Sequence, residues 1–324
     1  MLDVDRRAFL ASGSLALSTA TAGCASNSHT SNEWPEAFFA PYHHLPSVSN
    51  GQPIEWSRSA GTDRLSLAFI LAGPDGNPAW DGDPDHVVGE SPFDDEIVAF
   101  QDNGGKLIVS FGGALGDYLA EAFDGPESLA DAFERVVREY DVDYFDINDE
   151  KADQPVFDRR NEALALLQNR YPELRVSYTL RANTDGISDL PILDSAIDHG
   201  VEIEIINVMT MNYVYVAPRA EHCISTLEGA HDQLAERFPD RSEERLWSLI
   251  GATPMIGENS AGGAFYPNDA RQLREFAQDR GVRMLSFWTV ERDSPGEVGE
   301  VNPEHSGIEQ DDFDFSSIFS EHNS

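Results

Sequence analysis

Apolar residues run in short continuous blocks along most of this chain, each followed by a polar loop and then, in several cases, an amphipathic stretch. Blocks of strand length are Phe38–His43, Leu65–Ala72, Lys106–Phe111, Tyr144–Ile147, Arg175–Leu180, Ile203–Thr210, Leu246–Thr253 and Met284–Trp288. Most lack polar alternation, as parallel strands covered on both faces require. Apolar positions at helical spacing predict helices over Ser128–Tyr140, Asp158–Arg170, Ala217–Phe238 and Asn268–Arg280. Pro267-Asn268-Asp269 is a helix start signal and Gly281 a stop. Eight such strands predict an α/β fold of the (β/α)8 barrel type, which typically uses about 250 residues. A doubly wound open sheet is the alternative, but no Gly-x-Gly-x-x-Gly turn follows the first strand.

Barrel enzymes gather their chemistry at the C-terminal ends of the strands. Polar residues fall there: Ser110 to Gly113 on strand three, Asn148 to Glu150 on strand four, Met209 to Tyr213 on strand six, Thr253 to Asn259 on strand seven, Ser286 to Trp288 on strand eight. The fourth end is the most informative. Alternate residues of a strand share a face, so Asp146, Asn148 and Glu150 point the same way. Carboxyls crowded into a poorly hydrated mouth are pushed toward their protonated form, which suits Glu150 to general-acid work.

Composition narrows the partners. Against 58 acidic residues stand 22 basic ones, a formal net charge of −36. Only Lys106 and Lys151 are lysines. An acidic, lysine-poor chain with 40% hydrophobic residues fits a globular protein adapted to molar salt, where screening removes self-repulsion. Nucleic acid and anionic membrane surfaces are poor partners for that charge. Cys24 and Cys223 are the only cysteines. A cysteine zinc site is excluded, and the adjacent His43 and His44 would point to opposite faces of a strand, so neither metal nor cofactor is expected.

The N-terminus reads as an address. Arg6-Arg7-Ala8-Phe9-Leu10 and the mild apolar stretch to Ala22 resemble a twin-arginine export signal, and Thr21-Ala22-Gly23-Cys24 resembles a lipoprotein cleavage box. The expected organisation is a signal over 1–24, a flexible tether over 25–36, the barrel over 37–300 and an acidic tail over 301–324. Lipid on Cys24 would then be the sole membrane attachment of an exported surface protein, with simple secretion the alternative.

Asp143, Asp146, Asn148 and Glu150 resemble the Asp-x-x-Asp-x-Asp-x-Glu pattern of glycoside hydrolase family 18, the chitinases and endo-β-N-acetylglucosaminidases. Ser110-Phe111-Gly112-Gly113 matches that family's strand-three pattern, and Met209 to Tyr213 resembles its Met-Thr-Met-Asp-Tyr. Thr253 to Gly257, Leu285 to Asp293 and Val176 to Leu180 are similar to its strands seven, eight and five. With the charge balance, the resemblance is to a halophilic archaeal member. It implies hydrolysis of β-1,4-linked N-acetylglucosamine polymers, the sugar's own 2-acetamido group attacking while Glu150 donates a proton, its pKa raised in part by Asp146. Asn148 and Asn212 stand where the family has Asp, and the related family 85 endoglycosidases resemble this chain in pairing Asn with the acid Glu. The resemblance further implies that Asn148 and Asp146 assist catalysis, that Tyr213, Asn212, Met211 and Trp288 bind sugar, and that Asp143 and Ser110 support Asp146. Trp80 is a weaker candidate for an outer sugar subsite. The alternatives are a carbohydrate-binding protein with weakened chemistry and an endoglycosidase acting on N-linked glycans.

The charge balance makes folding salt-dependent. In buffer dilute enough for the Debye length to exceed about 10 Å, the melting temperature is expected to fall well below its value in molar KCl. Equal melting temperatures in the two media would contradict the adaptation to salt.

Overall fold

The structure, a computed structural model, describes residues 34–47 and 53–323. The signal at 1–24, Cys24 and most of the tether lie outside the described residues. The described residues from Pro35 onward form one compact unit. Its central sheet is a closed ring of parallel strands: β1 (Phe38–Phe39 with Tyr42–His44), β2 (Arg64–Ala72), β3 (Lys106–Gly113), β4 (Tyr144–Asp149), β5 (Arg175–Asn183), β6 (Ile203–Met209), β7 (Ile250–Thr253) and β8 (Met284–Leu285). A helix follows each strand: α1 (Pro53–Ala60), α2 (Asp94–Asp102), α3 (Pro126–Tyr140), α4 (Gln154–Arg170), α5 (Leu190–Asp198), α6 (Ala220–Arg237), α7 (Pro267–Arg280) and α8 (Asp314–Ser320). This is the expected (β/α)8 barrel.

Pro41 divides β1 because proline brings no N–H to a ladder. The division closes the ring: Phe38 and Phe39 pair with Met284 and Leu285 of β8, while Tyr42 to His44 pair with Ser66 to Ala68 of β2. α3 shows why the helices form where they do. Pro126 opens it, and Leu129, Ala130, Phe133, Val136, Val137 and Tyr140 are all buried, a stripe at helical spacing. Each large side chain so buried contributes roughly 1.5–3 kcal/mol. α7 begins at Pro267, its Asp269 carboxylate accepting the Tyr266 N–H at 3.0 Å, and stops at Gly281 with φ of 78°. Leu246 and Trp247, expected in a strand, end a short helix over Glu243–Trp247 capped by Ser242, and β7 begins only at Ile250.

The expected tail over 301–324 is corrected. Its end is α8, with Phe315, Ile318 and Phe319 buried. The Phe319 ring lies 6.0 Å from that of Phe39 and 5.9 Å from that of Phe287. The buried Asp293 carboxylate accepts the Phe315 and Ser316 N–H groups at 3.1 and 2.7 Å, holding the start of the helix. Acidic residues conceal this helix in the sequence, but its apolar positions at i, i+3 and i+4 are the signal.

His322, two residues after α8, is buried, and burial pushes its pKa down from the ordinary 6.5 to about 4. The fold therefore holds it neutral. Its contribution is complete above about pH 6.5 and lost as pH falls toward 4, amounting to roughly 3 kcal/mol over that window. Denaturant titrations at pH 7 and pH 4 in molar KCl are expected to show a smaller acid loss for His322→Gln than for the wild type. Equal losses would contradict this placement of His322.

Candidate active site

The site begins with strand register. Ser110 of β3 and Ser177 of β5 lie directly beside Asp146 of β4, so both hydroxyls reach its carboxylate. Asp146 accepts from Ser110 at 2.7 Å, Tyr42 at 2.8 Å, Thr179 at 2.8 Å and Ser177 at 3.0 Å. Asn207 of β6 donates to Thr179 at 2.9 Å, and Thr253 of β7 donates to Asn207 at 2.8 Å. The chain of donors thus crosses the barrel floor and terminates on Asp146. Burial pushes the pKa of Asp146 up, and its four hydroxyl partners oppose that rise.

Asn148 is next on the same face, buried, with its Oδ1 lacking a hydrogen-bond partner. Beyond it, the Glu150 backbone N–H donates to the Tyr118 hydroxyl at 2.8 Å, which in turn donates to the Gly113 carbonyl at 2.7 Å. Among the described residues the Glu150 carboxyl makes no hydrogen bond. Its pKa is raised, first by burial and then by Asp189 and Asp149, against the pull of Arg181. The rise was expected; its source is not Asp146. Gly112 is required for close approach: it has φ of 112°, and a Cβ there would lie 2.0 Å from the Asn148 carbonyl oxygen.

These groups open into a cleft of about 590 Å³ bordered by Tyr42, Phe69, Glu150, Arg181, Met211 and Trp288, among others. Trp288 stacks on Phe69 with ring centres 5.4 Å apart and planes 13° apart, and Tyr42 and His44 approach it at 5.7 Å. Asn212 also borders the cleft. Its left-handed φ of 54° suits Asn, and it braces the loop after β7, its N–H donating to Asn259 and its Oδ1 accepting from Ala261.

Three expected placements are corrected. The Tyr213 hydroxyl turns away to Thr226 of α6 at 2.7 Å and the side chain is buried outside the cleft lining. Asp143 lies at the opposite end of β4, paired with Arg175 at 2.7 Å, and does not support Asp146. Trp80 is wholly buried, its indole N–H donating to Tyr140 at 3.0 Å, and borders no cleft. Asp149 forms a buried ion pair with Arg160. Sequence reasoning missed Tyr42, Tyr118, Thr179, Arg181 and Asp189; only Thr179 carried a signal, being on the same strand face as Ser177. Among the described residues no group of three or more His, Cys, Asp or Glu could hold a metal ion.

No protein-family model matches the chain. Active domain 2 of the thermostable chitinase from Pyrococcus furiosus, crystallised as catalytic-site mutants with chito-oligosaccharides, is 35% identical, with a TM-score of 0.84 over 90% of this chain and 95% of that one. The chain belongs to the family 18 chitinases. A family 18 chitinase from Chromobacterium violaceum, at 16% identity and a TM-score of 0.57 over 89% of this chain and 83% of that one, shares the fold. The probable bifunctional chitinase/lysozyme of Escherichia coli is 27% identical over 312 residues, 88% of this chain but 34% of that protein. The chain thus spans about a third of that curated relative. In this family 18 fold, Glu150 after β4 and Trp288 after β8 border one cleft.

Because the Tyr213 hydroxyl faces Thr226, Tyr213→Phe is expected to lower stability by about 1 kcal/mol and leave sugar affinity within twofold. Denaturant titration and binding of chitotetraose measure both. A tenfold loss of affinity at unchanged stability would return Tyr213 to the site.

Proposed function

We propose that the chain hydrolyses β-1,4-linked N-acetylglucosamine polymers, chitin and chitooligosaccharides, by a substrate-assisted retaining mechanism. The observation that carries this reading is the free carboxyl of Glu150, held in the cleft just beyond an unpartnered amide oxygen of Asn148. Glu150, its pKa raised by burial, donates to the leaving oxygen and then takes a proton from water. Among the described residues bordering the cleft the other carboxyl is Asp189, which is committed to Arg181. Asp146 has its oxygens occupied by four hydroxyls. No second carboxyl is therefore free as nucleophile or base, which supports attack by the substrate's own acetamide oxygen.

Asn148 Oδ1 accepts the acetamide N–H and aims its carbonyl at the anomeric carbon. As an amide it brings no charge to the developing oxazolinium. Asp146 lies two residues back on the same face, about 7 Å along the strand. The Asp146 carboxyl, held by its four hydroxyl partners, therefore lies beneath Asn148 and fixes the strand end that carries it. Trp288 offers the apolar face on which the reacting sugar stacks. The substitution at 148 favours a second reading, sugar binding without turnover. Retention of Glu150, for which a binding protein has no use, favours the enzyme.

Product analysis in molar KCl with chitooligosaccharides, chitin and a glycoprotein separates the readings. Glu150→Gln is expected to lower hydrolysis at least about a hundredfold and keep affinity within a few-fold. Asn148→Asp is expected to maintain or raise kcat, since a carboxylate stabilises the cation directly. A wild type that binds chitotetraose and cleaves none of these substrates is a binding protein. A hundredfold loss in Asn148→Asp would show a site tuned to a neutral oxazoline.

A further inference from the structure

One wall of the cleft takes no part in the chemistry of Glu150 and Asn148. At its C-terminal end β5 turns into a tight hairpin in which Ala182 pairs with Ile187 and Asn183 with Gly186. Arg181, Ala182, Asn183, Ser188 and Asp189 all border the cleft. The hairpin is anchored to α6: Gln233 accepts the Ile187 N–H at 2.8 Å and donates to its carbonyl at 3.1 Å, while Ser225 donates to the Thr184 carbonyl at 2.8 Å. At Gly229 of α6 a Cβ would lie 2.2 Å from the Asp185 carbonyl oxygen, so helix and hairpin backbones touch. Arg181 is fixed as well. Its Nε and Nη2 each donate to Asp189 at 2.9 Å, a planar two-point pair, and its own N–H reaches the same carboxylate at 3.2 Å. The Arg181 side chain is nevertheless 51% exposed, against 11% for Asp189. The guanidinium therefore presents unused donors to the cleft while its partner is buried behind it.

Strand order assigns the wall a side. Trp288, Phe69 and Tyr42 belong to the arc formed by β8, β2 and β1, and β5 is diametrically opposite β1 in a ring of eight. A saccharide stacked on Trp288 with Glu150 at its glycosidic oxygen directs the next sugar toward the hairpin. Resting on the hydrolase reading, we propose that Arg181, held by Asp189, is the contact for the leaving N-acetylglucosamine unit, its free N–H groups donating to that sugar's hydroxyl and acetamide oxygens. Asp189 is the positioning residue: it orients the guanidinium and offsets its charge next to the general acid.

The charged and titratable groups about Glu150 are few. Asp149 is tied to Arg160, the Lys151 ammonium donates to the Gly116 carbonyl and sits 5.0 Å over the Tyr118 ring, and Tyr118 holds the Glu150 N–H. Arg181 and Asp189 remain, and they act on Glu150 in opposite directions. Removing either partner should therefore move the alkaline limb of kcat, where Glu150 loses its proton, in opposite senses.

The experiment measures wild type, Arg181→Met, Arg181→Lys and Asp189→Asn in molar KCl on two substrates. Chitotetraose places a sugar in the leaving position; 4-nitrophenyl β-chitobioside does not. For Arg181→Met the loss of kcat/KM on the tetramer is expected to exceed that on the aryl glycoside about tenfold, and the alkaline limb moves to higher pH. Asp189→Asn moves the limb to lower pH. Arg181→Lys keeps the limb nearer its wild-type place yet retains the tetramer-selective loss, since an ammonium lacks the planar fork. Equal losses on both substrates, or limbs that move together, would overturn the proposal while leaving the hydrolase reading intact. A wild type inactive on both substrates overturns the hydrolase reading, and the role of Arg181 with it.

Discussion

The interaction on which the site depends is the convergence of four hydroxyl groups on the buried carboxylate of Asp146. An ionised carboxylate only accepts, and Ser110, Tyr42, Thr179 and Ser177 each have one proton to give. Bonds of this kind to a charged acceptor contribute roughly 1.5–3 kcal/mol each, and together they oppose the cost of removing the charge from water. The donors come from β1, β3 and β5, so satisfying one anion aligns three strands around the fourth. The Asn207 and Thr253 links extend the same network over β6 and β7. Replacing any donor by an apolar group would loosen the strand ends that aim Asn148 and Glu150, a structural change with a catalytic readout.

Closure of the ring has its own local device in the three residues Glu291, Arg292 and Asp293. Glu291 pairs with buried His43 and accepts the His44 N–H, joining the segment after β8 to β1. Arg292 donates to the Ile256 and Glu258 carbonyls at 2.9 and 2.7 Å, fixing the loop after β7. Asp293 receives the first turn of α8. Each satisfies backbone groups at a place where no ladder can. Trp288 lies three residues before this cluster, so the floor of the cleft is tied to the point where the barrel closes.

Much of this was legible in the sequence because a strand's period is two. Asp146, Asn148 and Glu150 share a face by that rule alone, and the same rule argues against Asp143, whose offset of three from Asp146 puts it on the other face. Tyr213 was misplaced for the opposite reason. The chain turns at Asn212 with a positive φ, so alternation stops one residue before it. Tyr42, Thr179 and Arg181 reach the site through register and barrel closure, which depend on residues more than a hundred positions away in the case of Tyr42 and Asp146. The eighth helix was hidden by acidic residues that carry no information about burial, although Phe315, Ile318 and Phe319 had the right spacing.

Substrate assistance predicts one stereochemical result. If the acetamide oxygen attacks from the face opposite Glu150, and water then enters from the side that the leaving sugar vacated, the new reducing end keeps its configuration. Proton NMR of chitotetraose during the first minutes of hydrolysis, before mutarotation mixes the anomers, measures this directly. Substrate assistance predicts that the β-anomer appears first. Initial release of the α-anomer would mean that water attacks the sugar in a single step, and would contradict the role of Asn148.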